Sequence, residues 1–183
     1  MIRSFIGLPV QGDALRKVLG LQRPIAGARK VPEENMHLTL AFLGDQPEAQ
    51  LRTLAYELES LAGDPIPVTL KAPDLLGGKN PRGVVLAAEK SDALVAFQSR
   101  IERLLSELDF EFERRRFKPH VTLYRLPNTL PPETPGAIQA WLDARAGIAP
   151  IRFNATQMWL YSSRLTDNGA IYAPLAEFTL GAA

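Results

Sequence analysis

Two histidines occur in the 183-residue chain. Each is followed two places on by threonine, in His37-Leu38-Thr39-Leu40 and in His120-Val121-Thr122-Leu123. Polar and apolar residues alternate through both stretches, the two-residue period of a half-buried strand. On a strand, residues i and i+2 share a face. Each stretch would therefore put an imidazole and a hydroxyl on one side and two apolar side chains in the core. Laid side by side, the two strands would gather two imidazoles and two hydroxyls in one cleft. Histidine titrates near neutral pH and can act as general acid or general base. Neighbouring threonine hydroxyls can donate to phosphoryl oxygens as charge builds on them. The chemistry this suits is acid/base catalysis on a phosphate, with one imidazole starting neutral to take a proton and the other starting protonated to give one. The two motifs are nearly symmetric, so the sequence alone does not order the roles. A single His-x-Thr is usually a hydrogen-bonded or surface histidine on a strand; two copies that use every histidine in the chain point to function.

The rest of the composition narrows the chemistry. The chain has no cysteine, which removes thiolate catalysis, disulfides and cysteine-ligated zinc together. Two histidines without a clustered carboxylate set make a poor metal site, so neither a metal nor another cofactor is expected. Net charge is +1, and attraction to nucleic acid must come from a local patch. One candidate is Arg114-Arg115-Arg116-Phe117-Lys118-Pro119, which leads directly into His120. A basic run beside an aromatic suits phosphate contact, with Arg116 and Lys118 as candidate RNA-binding residues; the alternative is a solvated loop balanced by Glu111 and Glu113. A second basic pair, Lys79 and Arg82, sits on another loop. Phe5, Tyr161 and Tyr172 are candidates for stacking on a nucleobase, against the alternative of core aromatics. Arg125 lies five residues after His120, on the opposite parity, so a straight strand would aim it away from the cleft. It reaches a phosphate only if the strand bends or ends first.

The elements that must position these residues follow from periodicity. Residues 2–10 read as a buried strand ended by Pro9, followed by a helix over Gly12–Leu21 and a Pro- and Gly-rich loop from Arg23 to Asn35. Met36–Leu43 is the first motif strand, stopped by Gly44-Asp45. Pro47–Leu61 is an amphipathic helix with Leu51, Leu54, Ala55, Leu58 and Leu61 on one face. Pro65–Leu70 and Gly83–Ala88 read as strands joined by a turn-prone segment, Pro73–Arg82. Ser91 or Asp92 caps a helix whose apolar face is Leu94, Phe97, Ile101, Leu104, Leu105 and Leu108. After the second motif come a proline-rich loop, Pro127–Pro135, a short helix over Pro135–Ala146, and strands near Ile151–Phe153, Thr156–Ser162 and Ile171–Phe178. The last two form a hairpin turning at Thr166-Asp167-Asn168-Gly169. Strands and helices interleave with one motif strand in each half and no flexible linker. The expectation is a single α+β domain, residues 1–183, of two similar lobes, each an antiparallel sheet with packed helices, around a central cleft. No apolar run approaches the roughly 20 residues of a membrane span and the first residues lack a signal-peptide core. No membrane association is expected; a cytoplasmic monomer is.

The motif pair resembles the two-histidine phosphoesterase superfamily, and within it the RNA 2′,3′-cyclic phosphodiesterase branch, historically called 2′–5′ RNA ligase. The resemblance extends through Arg3-Ser4-Phe5-Ile6-Gly7-Leu8-Pro9, Asn35 to Gly44, Pro119 to Arg125, Leu160-Tyr161-Ser162-Ser163 and Tyr172-Ala173-Pro174-Leu175. Ser4, Gly7 and Tyr124 depart from the residues common in that family. The resemblance implies a two-lobed fold, metal-free catalysis, His37 as proton donor and His120 as acceptor, with Thr39 and Thr122 beside them. It implies a substrate that is RNA with a 2′,3′-cyclic phosphate end, or a cyclic nucleotide, opened to a 2′-phosphate. Three other readings are a 2′–5′ RNA ligase acting on tRNA halves, an RNA- or nucleotide-binding module without turnover, and, weaker, a metal-dependent nuclease.

Overall fold

The computed structural model describes residues 1–61, 63–78, 80–112, 116–167 and 169–181. In chain order the elements are β1 (Ile2–Pro9), α1 (Gly12–Leu21), β2 (Arg29–Lys30), β3 (His37–Gln46), α2 (Glu48–Leu58), β4 (Ile66–Leu76), β5 (Gly83–Ala88), α3 (Asp92–Glu107), β6 (His120–Arg125), α4 (Thr134–Asp143), β7 (Ile151–Ala155), β8 (Gln157–Thr166) and β9 (Gly169–Thr179). Lys79, Glu113, Arg114, Arg115 and Asn168, singled out above, lie outside the described residues.

The strands are ordered β7-β4-β5-β6-β3-β1-β8-β9, with β2 also on β6, and every strand pairing among the described residues is antiparallel. The two expected lobes are thus β7-β4-β5-β6 and β3-β1-β8-β9. They are not separate sheets: a single residue pair, Leu38 with Val121, joins β3 to β6. The last strands return to the first lobe, β8 pairing with β1, so both ends of the chain hold one side of the cleft.

One face of the sheet is buried under the helices. α3 supplies Leu94, Phe97, Ile101, Leu104 and Leu105, α2 supplies Leu51, Leu54 and Leu58, and α4 supplies Ile138 and Trp141. Leu38, Leu40, Val121 and Leu123 of the motif strands join the same core. Burying each such side chain stabilises the fold by about 1.5–3 kcal/mol. Ser91 caps α3, its hydroxyl accepting from the Leu94 amide at 3.2 Å, worth about 1 kcal/mol. No helix among the described residues is long and apolar enough to cross a membrane.

Three segments differ from the sequence reading, each through strand pairing. β3 continues past Gly44-Asp45, because Ile2, Arg3 and Ser4 pair with Gln46, Asp45 and Gly44; Gly44, at φ 69°, accommodates the bend without a Cβ penalty. β4 extends through Pro73 to Leu76 against β5, with a register slip between Leu70 and Pro73. The Arg23–Asn35 loop contains β2, which pairs Arg29 with Arg125 and Lys30 with Tyr124.

Candidate active site

The Leu38–Val121 pair sets the geometry of the motifs. Extending that antiparallel register by one residue each way places His37 opposite Thr122 and Thr39 opposite His120. The imidazoles are therefore diagonal neighbours across the seam, a relation that separates Cβ atoms by about 7–8 Å. His37, Thr39, His120 and Thr122 are all half-buried, while Leu38 and Val121 between them are fully buried. The alternation read from the sequence thus places both imidazoles and both hydroxyls on the cleft face.

Each histidine is held in the same way. His37 Nδ1 lies 2.8 Å from the carbonyl oxygen of Asn35 and His120 Nδ1 lies 2.7 Å from that of Lys118. A carbonyl only accepts, so both Nδ1 atoms carry the proton, and each Nε2 is left as the atom that can exchange one. The Thr39 hydroxyl sits 3.1 Å from His37 Nε2. Asn35 is itself fixed, its side-chain amide donating to the Ala170 carbonyl at 2.8 Å, which ties the orientation of His37 to the β8–β9 hairpin.

The surroundings of the two rings differ. His37 is walled by Phe5 (ring centroids 4.7 Å apart), Tyr161 (5.5 Å) and Tyr172 (5.2 Å, edge-on). Gly7 leaves the space for this: a Cβ there would lie 3.0 Å from the Leu38 carbonyl and 3.4 Å from the His37 ring. Burial pushes the His37 imidazole down to about 4; the Asn35 carbonyl opposes this, and the charges of Arg125 and His120 add to it. Burial also lowers His120, opposed by the Lys118 carbonyl and helped by Arg125.

Arg125 faces the cleft because β6 does not run straight. Val85 pairs with Thr122 but Val84 pairs with Tyr124, so Leu123 is an extra residue, a β-bulge that reverses side-chain parity beyond it. Leu123 and Tyr124 are consecutive buried residues, and Arg125 emerges on the side of His120 and Thr122. The bulge is secured by its own carbonyl, which accepts from the Val31 amide and the Gln22 side chain, both at 2.9 Å. β3 repeats the device at the same place in its motif: Gly7 pairs with Thr39 but Ile6 with Ala41, making Leu40 the extra residue and turning Phe42 to the cleft. Phe42 and Arg125 therefore occupy equivalent positions, five residues after their histidines.

Two connected spaces lie over these residues. The smaller, about 40 Å³, is lined by His37, Thr122, Arg125, Arg29 and Tyr172 among others. The larger, about 1040 Å³, opens toward the far ends of β3 and β6 and is lined by Arg3, Phe5, Arg29, Phe42, Arg125 and Tyr172 among others. Among the described residues no group of three His, Cys, Asp or Glu is placed to hold a metal ion.

Other sequence candidates are placed differently from the reading above. Phe5 and Tyr161 are 3% and 2% exposed and stack on each other at 4.6 Å; they build the wall behind His37 and have no free face for a base. Tyr172 is half-buried at the cavity edge. Arg116 and Lys118 are exposed and line neither space; the part Lys118 plays at the site is its backbone carbonyl.

The duplicated geometry has a counterpart in the family comparison. The model described as LigT like Phosphoesterase matches the chain twice, over residues 8–86 and 84–172. The chain belongs to this family. Each match contains one His-x-Thr strand and its bulge. Among curated LigT-like relatives, a Thermotoga maritima protein named RNA 2′,3′-cyclic phosphodiesterase is 32% identical, over 96% of this chain and 94% of that one. One of the same name from Methanocaldococcus jannaschii is 28% identical over 97% and 100%. The fold is that of the E. coli LigT crystal structure, with a TM-score of 0.72 at 19% identity over 98% of this chain and 97% of that one.

Arg29, Phe42 and Asn35 are the cleft residues of this LigT-like chain that the sequence reading missed. For Phe42 a signal exists: Leu40-Ala41, like Leu123-Tyr124, puts two apolar residues together where strict alternation would put one, the mark of a bulge. Arg29 and Asn35 carry no local signal, since partners roughly a hundred residues away place them.

Proposed function

We propose that this LigT-like phosphoesterase opens terminal 2′,3′-cyclic phosphodiesters on RNA, leaving a 2′-phosphomonoester and a free 3′-hydroxyl. The observation that carries the reading is the pairing of the two motif strands at Leu38 and Val121, which puts two imidazoles, each held through Nδ1 by the carbonyl two residues before it, on the same face as Thr39 and Thr122. A water oxygen attacks phosphorus and gives a proton to His120 Nε2. The bond from phosphorus to the ribose O3′ breaks, and that oxygen takes a proton from His37 Nε2. Thr39, Thr122 and Arg125 face the oxygens on which negative charge accumulates. The order of roles comes from family resemblance, and electrostatics adds a condition. Burial holds the His37 imidazole at about 4, which favours the neutral ring near pH 7, whereas a proton donor must start charged. An anionic phosphodiester between the rings favours the imidazolium, so His37 gains its proton together with the substrate. The reading is supported by the relatives named RNA 2′,3′-cyclic phosphodiesterase.

The test is to incubate an oligonucleotide ending in a 2′,3′-cyclic phosphate with the protein in EDTA and identify the product isomer. A 2′-phosphate is expected, with His37→Ala and His120→Ala each slower by at least about 10²-fold. Full activity in either variant, or a strict need for a divalent cation, would refute the mechanism.

A further inference from the structure

The larger cavity has more room than the reaction centre needs. A cyclic phosphate on one ribose is met by His37, His120, the threonines and Arg125. Beyond them a second space adjoins the first, with Arg29, Arg125, Gly169, Ala170 and Tyr172 lining both. The extension, about 1040 Å³, is at the upper end of small-molecule sites. Among the described residues its walls carry three guanidinium groups, Arg3, Arg29 and Arg125, against one carboxylate, Glu111. Among the described residues neither Arg3 nor Arg29 forms an ion pair. Arg29 reaches across the groove to the β8–β9 hairpin: a Cβ on Gly169 would lie 3.1 Å from its guanidinium carbon, and Gly169, at φ 117°, keeps that space open. Between the arginines stands Phe42, 51% exposed, turned to the cleft by the bulge at Leu40 and flanked by the Phe5 ring at 6.2 Å. Cations spaced along a groove with an exposed aromatic between them are what a nucleic acid strand requires, charge for its phosphates and a platform for a base.

Resting on the function proposed above, we infer that this cavity is a subsite for the nucleotide on the 5′ side of the cyclic-phosphate end, with Arg3 and Arg29 on its phosphodiester and Phe42 stacked on its base. The substrate class is then an RNA strand, and the track it follows is the Arg3–Phe42 side of the cleft. Arg116 and Lys118, the sequence candidates for that track, do not line it.

The test is binding, which needs no turnover. A fluorescent ten-nucleotide RNA ending in a 2′-phosphate and a nucleoside 2′-monophosphate are titrated into the full chain and into Arg3→Gln, Phe42→Ala and Phe42→Tyr. The parent should bind the ten-mer at least about tenfold more tightly than the mononucleotide at low salt. Arg3→Gln should weaken the ten-mer several-fold and make its log–log salt dependence shallower by about 0.7, the loss of one phosphate contact on a single strand. Phe42→Ala should weaken the ten-mer about tenfold with the salt slope unchanged, and Phe42→Tyr should restore it. The inference is overturned if either Arg3→Gln or Phe42→Ala binds the ten-mer with the parent's affinity and slope, or if either weakens the mononucleotide by the same factor. Failure of the proposed reaction shows separately, as no turnover of a 2′,3′-cyclic mononucleotide, which has no 5′ neighbour to place in this cavity.

Discussion

Lowering the pH from 7.5 to 5.0 protonates an imidazole in the unfolded chain but leaves His37 in the folded protein largely neutral. The ordinary value is 6.5, and burial holds His37 at about 4. At pH 5.0 the unfolded imidazole is about 97% charged and the folded one about 9%. The unfolded state binds more protons in this window, so stability falls as pH drops from about 6.5 toward 4. Integrating the difference gives a loss of about 2 kcal/mol at pH 5.0 attributable to this one ring. The assay is urea unfolding of the parent and of His37→Gln at pH 7.5 and 5.0. The parent should lose about 2 kcal/mol more than the variant between the two pH values, a relative midpoint shift of about 1 M for a slope near 2 kcal/mol/M. Groups common to both proteins, including His120, whose depressed value acts in the same direction, cancel in the comparison. Equal acid sensitivity of the two proteins would mean that His37 is not desolvated by the Phe5, Tyr161 and Tyr172 rings, and the argument that it takes its proton up with the substrate would fail with it.

Two further expectations separate catalysis from folding. Thr39→Val and Thr122→Val should each lower kcat about tenfold or more with a smaller effect on KM, because the donor matters most as charge builds; of the two, only Thr39→Val should also move the pH profile, since its hydroxyl contacts His37 Nε2. Tyr124→Phe should cost about 1–3 kcal/mol in urea unfolding while sparing KM, because the Tyr124 hydroxyl both donates to the Arg23 carbonyl and accepts from the Arg23 amide at 2.7 Å, and both backbone groups would lose that partner.

The sequence was informative where a signal repeats within a few residues and poor where placement depends on a distant strand. His-x-Thr alternation put four side chains on the cleft face, and the 3.6-residue spacing of Leu94 to Leu105 located α3 and its buried side. The parity argument on Arg125 holds for a straight strand, and the bend it left open is the bulge at Leu123, visible in sequence only as Leu123-Tyr124 breaking the alternation. Phe5 and Tyr161 looked like stacking platforms because composition does not show that β1 lies between two other strands, burying both rings. β2 is two residues long, too short to have a period, and exists because Arg29 and Lys30 meet Arg125 and Tyr124.

Duplication would by itself build a site unable to distinguish acid from base. The two motifs share their backbone devices down to the carbonyl two residues before each histidine and the bulge three residues after it. What differs is what each lobe packs around its ring. β8 and β9 return beside β1 and place Tyr161 and Tyr172 against His37, whereas no ring contact with His120 occurs among the described residues. The five-residue offset that carries Phe42 on β3 carries Arg125 on β6, so charge enters from the His120 side and apolar surface from the His37 side. Environments that push two titratable groups apart are what assign them opposite roles. The chain's return to its first lobe, more than the motifs themselves, is therefore what makes the surroundings of the two imidazoles differ.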